Sequence, residues 1–205
     1  MERSIGTRLA AVVFCLAGLS ACAFGDRQAN LTYPPAASDG AMAADTTAPA
    51  AAGSRGQIFL ATFSDLRPDK QLVGHVKNTY GMKTAKVLAQ NDVRLWVEDA
   101  IAWELENAGY EVIRGTPDEA PGSGAVLSGD VIRVYCSAYF SYDGEVTVKA
   151  TLTKNGDTLL DRAYTGQGSV GVNWAATGES YSQSLSLALR QAMIQLMSEI
   201  NSQKL

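Results

Sequence analysis

The chain has 205 residues, 46% hydrophobic and 19% charged, the balance of an ordinary globular domain, which excludes a disordered or collagen-like polypeptide. Its net charge of −4 provides no overall positive field to gather a phosphate backbone, which argues against nucleic acid as a partner. With the leader and a low-complexity stretch behind it set aside, about 150 residues remain, enough for one core and too few for two full domains.

Arg3 and Arg8 precede Leu9–Ala21 (LAAVVFCLAGLSA), an unbroken run of apolar and small residues that ends at Cys22. Such a run spans about 20 Å as a helix, short of the roughly 30 Å of bilayer hydrocarbon, so residues 1–21 read as a secretory signal peptide and not as a spanning helix. The lower edge, Leu19-Ser20-Ala21-Cys22, resembles a bacterial lipobox. That resemblance implies a thioether-linked diacylglycerol on Cys22, and with it a palmitate-type anchor to a membrane. At about 0.8 kcal/mol per buried CH₂, two or three acyl chains make dissociation negligible. The alternative is a plain signal peptide cut near Ala21 or Ala23, with Cys22 a bystander. In similar lipoproteins an aspartate after the cysteine retains the protein at the inner membrane. Ala23 stands there instead, so the expected location is the periplasmic face of the outer membrane.

Cys15 leaves with the signal and Cys22 is acylated, so Cys136 is the remaining thiol and the mature chain forms no internal disulfide. Inside an apolar strand, Cys136 reads as a small buried hydrophobe, not a nucleophile.

Residues 22–56 are rich in Ala, Pro, Gly, Thr and Asp, with Leu31 and Tyr33 almost the only large apolar groups beyond Phe24. They read as a lipidated N-terminus and a flexible tether with a reach of about 30 Å. The periplasmic domain then occupies 57–205. A first strand covers Gln57–Phe63, residues 66–83 show no clear periodicity, and Thr84–Ala89 forms a short second strand or leads into the next helix. Asn91 or Asp92 caps that helix, Val93, Trp96, Val97, Ala100, Ile101 and Leu105 recur at helical spacing, and Gly109 suits its end.

A strand from Tyr110 to Ile113, a loop over 115–124 and a strand from Ala125 to about Tyr139 follow, with a bulge expected at Gly129-Asp130. Val146, Val148, Ala150 and Leu152 alternate with polar residues, and Asn155-Gly156 separates them from Thr158–Tyr164, which predicts a hairpin with a type I′ turn. The last helix opens on the capping-box pattern Ser180-x-x-Gln183 and carries one apolar stripe from Tyr181 to Ile200. The expected fold is α+β: a two-layer sandwich with a mainly antiparallel sheet and two main helices packed on one face.

Phe63-Ser64-Asp65-Leu66-Arg67 closing a strand, Glu104-Leu105-Glu106-Asn107-Ala108-Gly109-Tyr110 closing a helix, the lipobox and the terminal helix together resemble the YajG-like lipoproteins. They resemble more loosely the periplasmic lipoprotein domains of secretion and surface-assembly systems. The resemblance covers most of residues 57–203 and implies a fold and a location. It brings no catalytic residues.

His75 is the single histidine, and neither a Gly-x-Ser-x-Gly elbow nor a recognisable cysteine-nucleophile motif accompanies it. One histidine and one thiol form no usual zinc set, and no cofactor is implied. Asp130 with Asp143 or Glu145 is the carboxylate pair a glycoside hydrolase would need, although strand carboxylates beside turns are usually solvated. The stretch 65–86 carries Arg67, Lys70, Lys77, Lys83 and Lys86 against Asp65 and Asp69, while the first helix and its cap are acidic. One reading is a solvated loop beside a solvated helix. The sharper one is that Arg67, Lys70 and Lys77 meet an anionic partner, a lipid head group or an acidic protein surface.

Asp65 before Leu66-Arg67-Pro68 suits an Asx turn. Tyr135, Tyr139, Phe140 and Tyr142 crowd one strand end and Trp174 sits in a Gly-rich loop, as core lids or as a binding lip. Gly166, Gly168 and Gly171 follow no phosphate-loop fingerprint.

The sequence therefore points to a lipid-anchored, non-enzymatic binding or assembly module of the bacterial envelope, with a protein partner there and self-association compatible with it. The alternatives are an accessory lipoprotein of an envelope lipid-transport system, which predicts an apolar pocket between helices and sheet, and an envelope hydrolase, which predicts convergent acids with raised pKa values.

Overall fold

The structure is a computed structural model that describes residues 25–33, 55–171, 177–203 and 205. The signal peptide, Cys22 and Trp174 lie outside the described residues. The strands are β1 (Arg27–Ala29), β2 (Gln57–Ala61), β3 (Ser64–Asp65), β4 (Leu72–Lys77), β5 (Lys83–Ala89), β6 (Glu111–Gly115), β7 (Ala125–Ala138), β8 (Ser141–Lys154) and β9 (Asp157–Gly171). Helix α1 (Val93–Asn107) lies between β5 and β6, a short 3₁₀ turn (Pro117–Glu119) precedes β7, and α2 (Gly178–Ser202) closes the chain.

Among the described residues all nine strands join one sheet. Its spine is the long meander β7-β8-β9, antiparallel throughout, as the alternation in β8 implies. The Asn155-Gly156 turn has positive φ at both residues (53° and 91°), the type I′ geometry that matches the twist of its strands. The other edge of β7 is shared. Ala125–Leu127 pair with β2, Asp130–Val131 with β3 and Cys136–Ala138 with β4, all in parallel. Beyond them, β6 pairs β2 and β1 pairs β5, also in parallel, while β4 and β5 form an antiparallel hairpin.

The sheet is therefore mixed and curled, with two helices against it: its long ladders β7-β8-β9 are antiparallel, as expected, but five of its strand pairings are parallel, and it does not form a clear two-layer sandwich. The reason lies in the connections: β2, β3 and β4 follow one another along one edge of β7, the long segment through β5, α1 and β6 brings the chain back to run in the same direction, and a strand's residue pattern does not record which partner its edge will find.

Asp92 caps α1 through its carboxylate, which accepts from the N–H groups of Arg94 (2.8 Å) and Leu95 (3.2 Å). At the other end, Gly109 and Tyr110 donate to the carbonyls of Glu106 and Leu105, a Schellman closure. Helix α2 starts earlier than expected. Thr177 occupies the N-cap position and Ser180 lies buried in the first turn, so Ser180-x-x-Gln183 is not the capping box. The predicted stripe holds: Tyr181, Leu185, Ala188, Leu189, Ala192, Met193, Leu196 and Ile200 are fully buried.

The β7 bulge falls at Ile132, between Val131 and Arg133, and not at Gly129-Asp130. Val131 and Val134 both face the core, so the extra residue is the half-exposed Ile132 between them.

Cys136 is buried as expected. Burial, only partly offset by the Ser184 hydroxyl, pushes its thiol up to about 12. A disulfide reagent such as DTNB is expected to leave the native protein's Cys136 unmodified and to react promptly once urea unfolds it.

Candidate functional site

Strand β3 places Asp65 at the head of a tight loop. Its Oδ1 accepts the Arg67 N–H (3.0 Å), the expected Asx turn. The Arg67 side chain folds back into the same loop and is 4% exposed. Its Nε and one terminal nitrogen bind the two Asp65 oxygens at 3.0 and 2.8 Å, and its remaining bonds go to the carbonyls of Leu72 (3.1 Å) and Lys70 (2.5 Å). Lys70 Nζ closes the ring on the carbonyls of Arg67 (2.5 Å) and Asp65.

Burial alone would raise the Asp65 pKa, but hydrogen bonds from Arg67 and the charges of Arg67 and Lys70 hold its carboxyl below the usual range. Arg67 is thus an internal strut. It does not present a free charge to an anionic partner, because each bonding edge of the guanidinium is committed within the loop.

Lys70 keeps half its surface in water, and Lys77 sits apart at the far end of β4, opposite Lys83. Five residues of strand, about 17 Å, separate Lys77 from the Leu72 carbonyl that Arg67 holds. The predicted binding trio does not converge.

Between this loop and the start of α1 lies a groove of about 510 Å³, with Lys70, Gln71, Gln90, Asn91, Asp92 and Arg94 in its walls. A second, of about 370 Å³, lies over Asp143, Glu145, Gln167 and Ser169 on the outer face of the sheet. Both are open, and the side chains in their walls are chiefly polar. The space between helices and sheet is occupied by side chains closed to solvent, among them Ile101, Leu105, Leu185, Leu189 and Met193.

Asp143 and Glu145 share one face of β8, but Asp130 does not join them. In the β7–β8 register Asp143 lies opposite Ser137, seven residues along from Asp130 and hence about 23 Å away, where glycoside hydrolysis needs roughly 5–9.5 Å. Glu145 is bound to Arg133 (2.6 Å), and Asp143 accepts the hydroxyls of Ser141 and Ser169 (2.6 and 2.8 Å). Besides Asp65, the carboxyl groups of Glu119 and Asp161 are displaced downward, by hydrogen bonds from Thr116 and from Lys149 with Thr151 respectively. A general acid needs the opposite. His75 Nδ1 lies 3.1 Å from the Tyr135 hydroxyl, and burial followed by Lys83, Lys86 and Lys77 lowers its proton affinity.

The unforeseen feature is residues 27–33, which the tether was expected to contain. They belong to the folded body. Leu31 is buried, and its N–H and C=O are both bound by the Asn91 side chain at 2.9 Å. Trp96 Nε1 donates to the Thr32 carbonyl (3.1 Å). From α2, Ser186 donates to the same carbonyl (2.6 Å) and Ser182 to that of Asn30, one helical turn apart. The Tyr33 hydroxyl donates to Glu104 and its ring meets Trp103 edge-on at 5.7 Å. Leu31 and Tyr33, large apolar groups in an otherwise small-residue stretch, were the available signal. Their partners lie 60 or more residues away, beyond any local pattern.

The aromatic cluster divides between core and surface. Tyr142 is buried edge-on against Tyr181 (4.9 Å), whereas Tyr139 and Phe140, in the β7–β8 turn, point outward. The Tyr139 hydroxyl donates to the Thr79 carbonyl (2.6 Å), tying this turn to the β4–β5 turn, where Tyr80 and Met82 are exposed. Among the described residues no helix is long and apolar enough to cross a membrane.

No protein-family model matches the chain, and no curated protein matches it. Among solved structures it is similar to a DUF330 protein from Xanthomonas campestris, at 15% identity and a TM-score of 0.55, over 87% of this chain and 94% of that one. A second similar structure, described as an uncharacterized protein, has 10% identity and a TM-score of 0.50 over 70% and 92%. A minor lipoprotein from Acinetobacter baumannii has 11% identity and a TM-score of 0.42 over 71% and 90%. The first two establish a shared fold.

Proposed function

We propose that this chain is a lipid-anchored module of the bacterial cell envelope, fastened by Cys22 to the periplasmic face of the outer membrane and working by binding or assembly with a protein partner. The observation that carries the reading is the lipobox-like Leu19-Ser20-Ala21-Cys22 behind a short apolar leader. Ala23, in place of an aspartate, supports the outer membrane, and the resemblance of its short motifs to those of YajG-like lipoproteins supports the envelope. The non-enzymatic part rests on the resemblance, which brings no catalytic residues, and on the distance between Asp130 and Asp143. A carrier of apolar ligands would be favoured by an apolar chamber between helices and sheet. Among the described residues the side chains that meet there are buried core groups.

Metabolic labelling with radioactive palmitate and membrane fractionation test the anchor. The wild-type protein is expected to take up label and sediment with outer membranes. A Cys22→Ser variant is expected to take up none and to appear in the soluble periplasmic fraction. An unlabelled wild-type protein, or a variant that still sediments with membranes, would overturn the reading.

A further inference from the structure

The β4–β5 turn (78–82) and the β7–β8 turn (139–140) lie side by side at one end of the molecule, bridged by the Tyr139–Thr79 hydrogen bond. Of the large hydrophobic residues left exposed among the described residues, four gather here. Tyr80 (86%) and Phe140 (74%) are the most exposed of all, with Met82 (59%) and Tyr139 (42%) beside them. Tyr139 and Phe140 pack at 4.0 Å, so the cluster forms one apolar tip. Lys77 and Lys83 lie opposite each other directly behind it and Lys86 follows on β5; of the carboxylates on this side, Asp26 accepts the Lys86 N–H and Asp143 is occupied by two serine hydroxyls. Aromatic rings backed by lysines match a membrane interface, where rings sit at head-group depth and cations meet anionic phospholipid.

The direction of β1 says which surface meets this tip. Strand β1 runs parallel to β5, with Arg27 opposite Val87 and the Asp26 carboxylate accepting the Lys86 N–H. The chain therefore enters β1 from the end where the tip lies. Cys22 precedes Arg27 by five residues, a reach of at most about 18 Å. The same five residues of strand separate Val87 from Met82, about 17 Å. Because 27–33 are locked between the helices, the slack available to the domain is this short lead and not a tether of some 34 residues.

The geometry points to a domain held tip-down: Tyr80, Met82, Tyr139 and Phe140 rest in the phospholipid interface of the membrane in which Cys22 is anchored. This rests on the anchoring reading above. It adds an orientation and a second lipid contact. The β8–β9 turn then stands about 45 Å from the bilayer, at the opposite end of β8.

The test uses full-length, lipidated protein carrying Tyr80→Cys, Phe140→Cys or Thr158→Cys, each labelled with the environment-sensitive fluorophore NBD. All three positions are exposed, so labelling leaves the core untouched, and the buried Cys136 does not compete. Proteins are reconstituted into vesicles of phosphatidylethanolamine and phosphatidylglycerol with or without brominated acyl chains, then floated. Expected are flotation of all three, roughly twofold quenching at 80 and 140, and none at 158. Flotation with no quenching at 80 and 140 overturns the docked tip and leaves the anchor standing. Blue-shifted emission at 80 and 140 that bromine does not quench means a protein, such as a second copy, covers the tip, and overturns it equally. Failure to float, with no palmitate on Cys22, removes the anchor and the proposal together.

Discussion

Gly166→Ala is expected to destabilise the protein by about 3 kcal/mol, although alanine is the better strand residue. Helix α2 lies on β8 and β9 with almost no space between backbones, because the strands present Gly144, Gly166 and Gly168 beneath it. A Cβ on Gly166 would overlap the Ala188 carbonyl oxygen and sit 2.6 Å from the Ala192 nitrogen. Both obstacles are helical backbone, which no rotamer change can move aside. The helix must lift, and the packing of Leu185, Leu189 and Met193 loosens with it. The gain from replacing a strand glycine, about 0.5–1 kcal/mol, is too small to offset this. Gly171→Ala in the same strand is the control, since nothing lies within 4 Å of its Cβ. Urea unfolding should show a lower midpoint with unchanged slope for Gly166→Ala and a midpoint near or above wild type for Gly171→Ala. Equal midpoints for the two variants would contradict the close helix approach.

The same contrast between local and distant causes decides which parts of the fold are legible in the sequence. The β8–β9 hairpin follows from Asn155-Gly156 and the alternation before it, and α1 from Asp92, its periodic apolar residues and Gly109, because those signals act within a few residues. Strand β4 was missed. Leu72–Lys77 contains a glycine and a histidine and carries a register shift between Leu72 and Gly74, so its apolar residues do not alternate cleanly. Strand β1 is three residues long and exists only because β5 offers an edge and Asn91, Trp96, Ser182 and Ser186 offer hydrogen bonds. The parallel pairings of β7 are equally silent in its own pattern. Of the candidate site, the Asx turn at Asp65 was readable, but a count of charges does not separate a buried arginine from a solvated one, and Arg67 entered as a free cation on that count.

Arg67→Met is expected to cost about 3 kcal/mol at neutral pH, because it strands the Asp65 carboxylate, only 12% exposed, beside two carbonyls that also lose their donor. The pH dependence separates this cause from lost packing. In the wild type, Asp65 has a folded pKa below its unfolded value of about 3.9, so its contribution is complete above that pH and is lost as the pH falls through the folded value. In the variant, the side-chain hydrogen bonds and most of the charge that lower the pKa are gone, and only the backbone N–H of residue 67 and the Lys70 charge still oppose burial, which raises it. The folded carboxyl then takes up a proton more readily than in the wild type, and acidification relieves the defect. The stability gap between wild type and Arg67→Met should therefore be widest near pH 7 and narrow steadily as the pH drops through 4. Adding Asp65→Asn to Arg67→Met should recover part of the loss at pH 7, so that the double variant is more stable than the sum of the single costs predicts. Urea midpoints at several pH values read both effects. A gap independent of pH, together with additive costs, would assign Arg67 a packing role and refute the ion pair as the origin of the loop's rigidity.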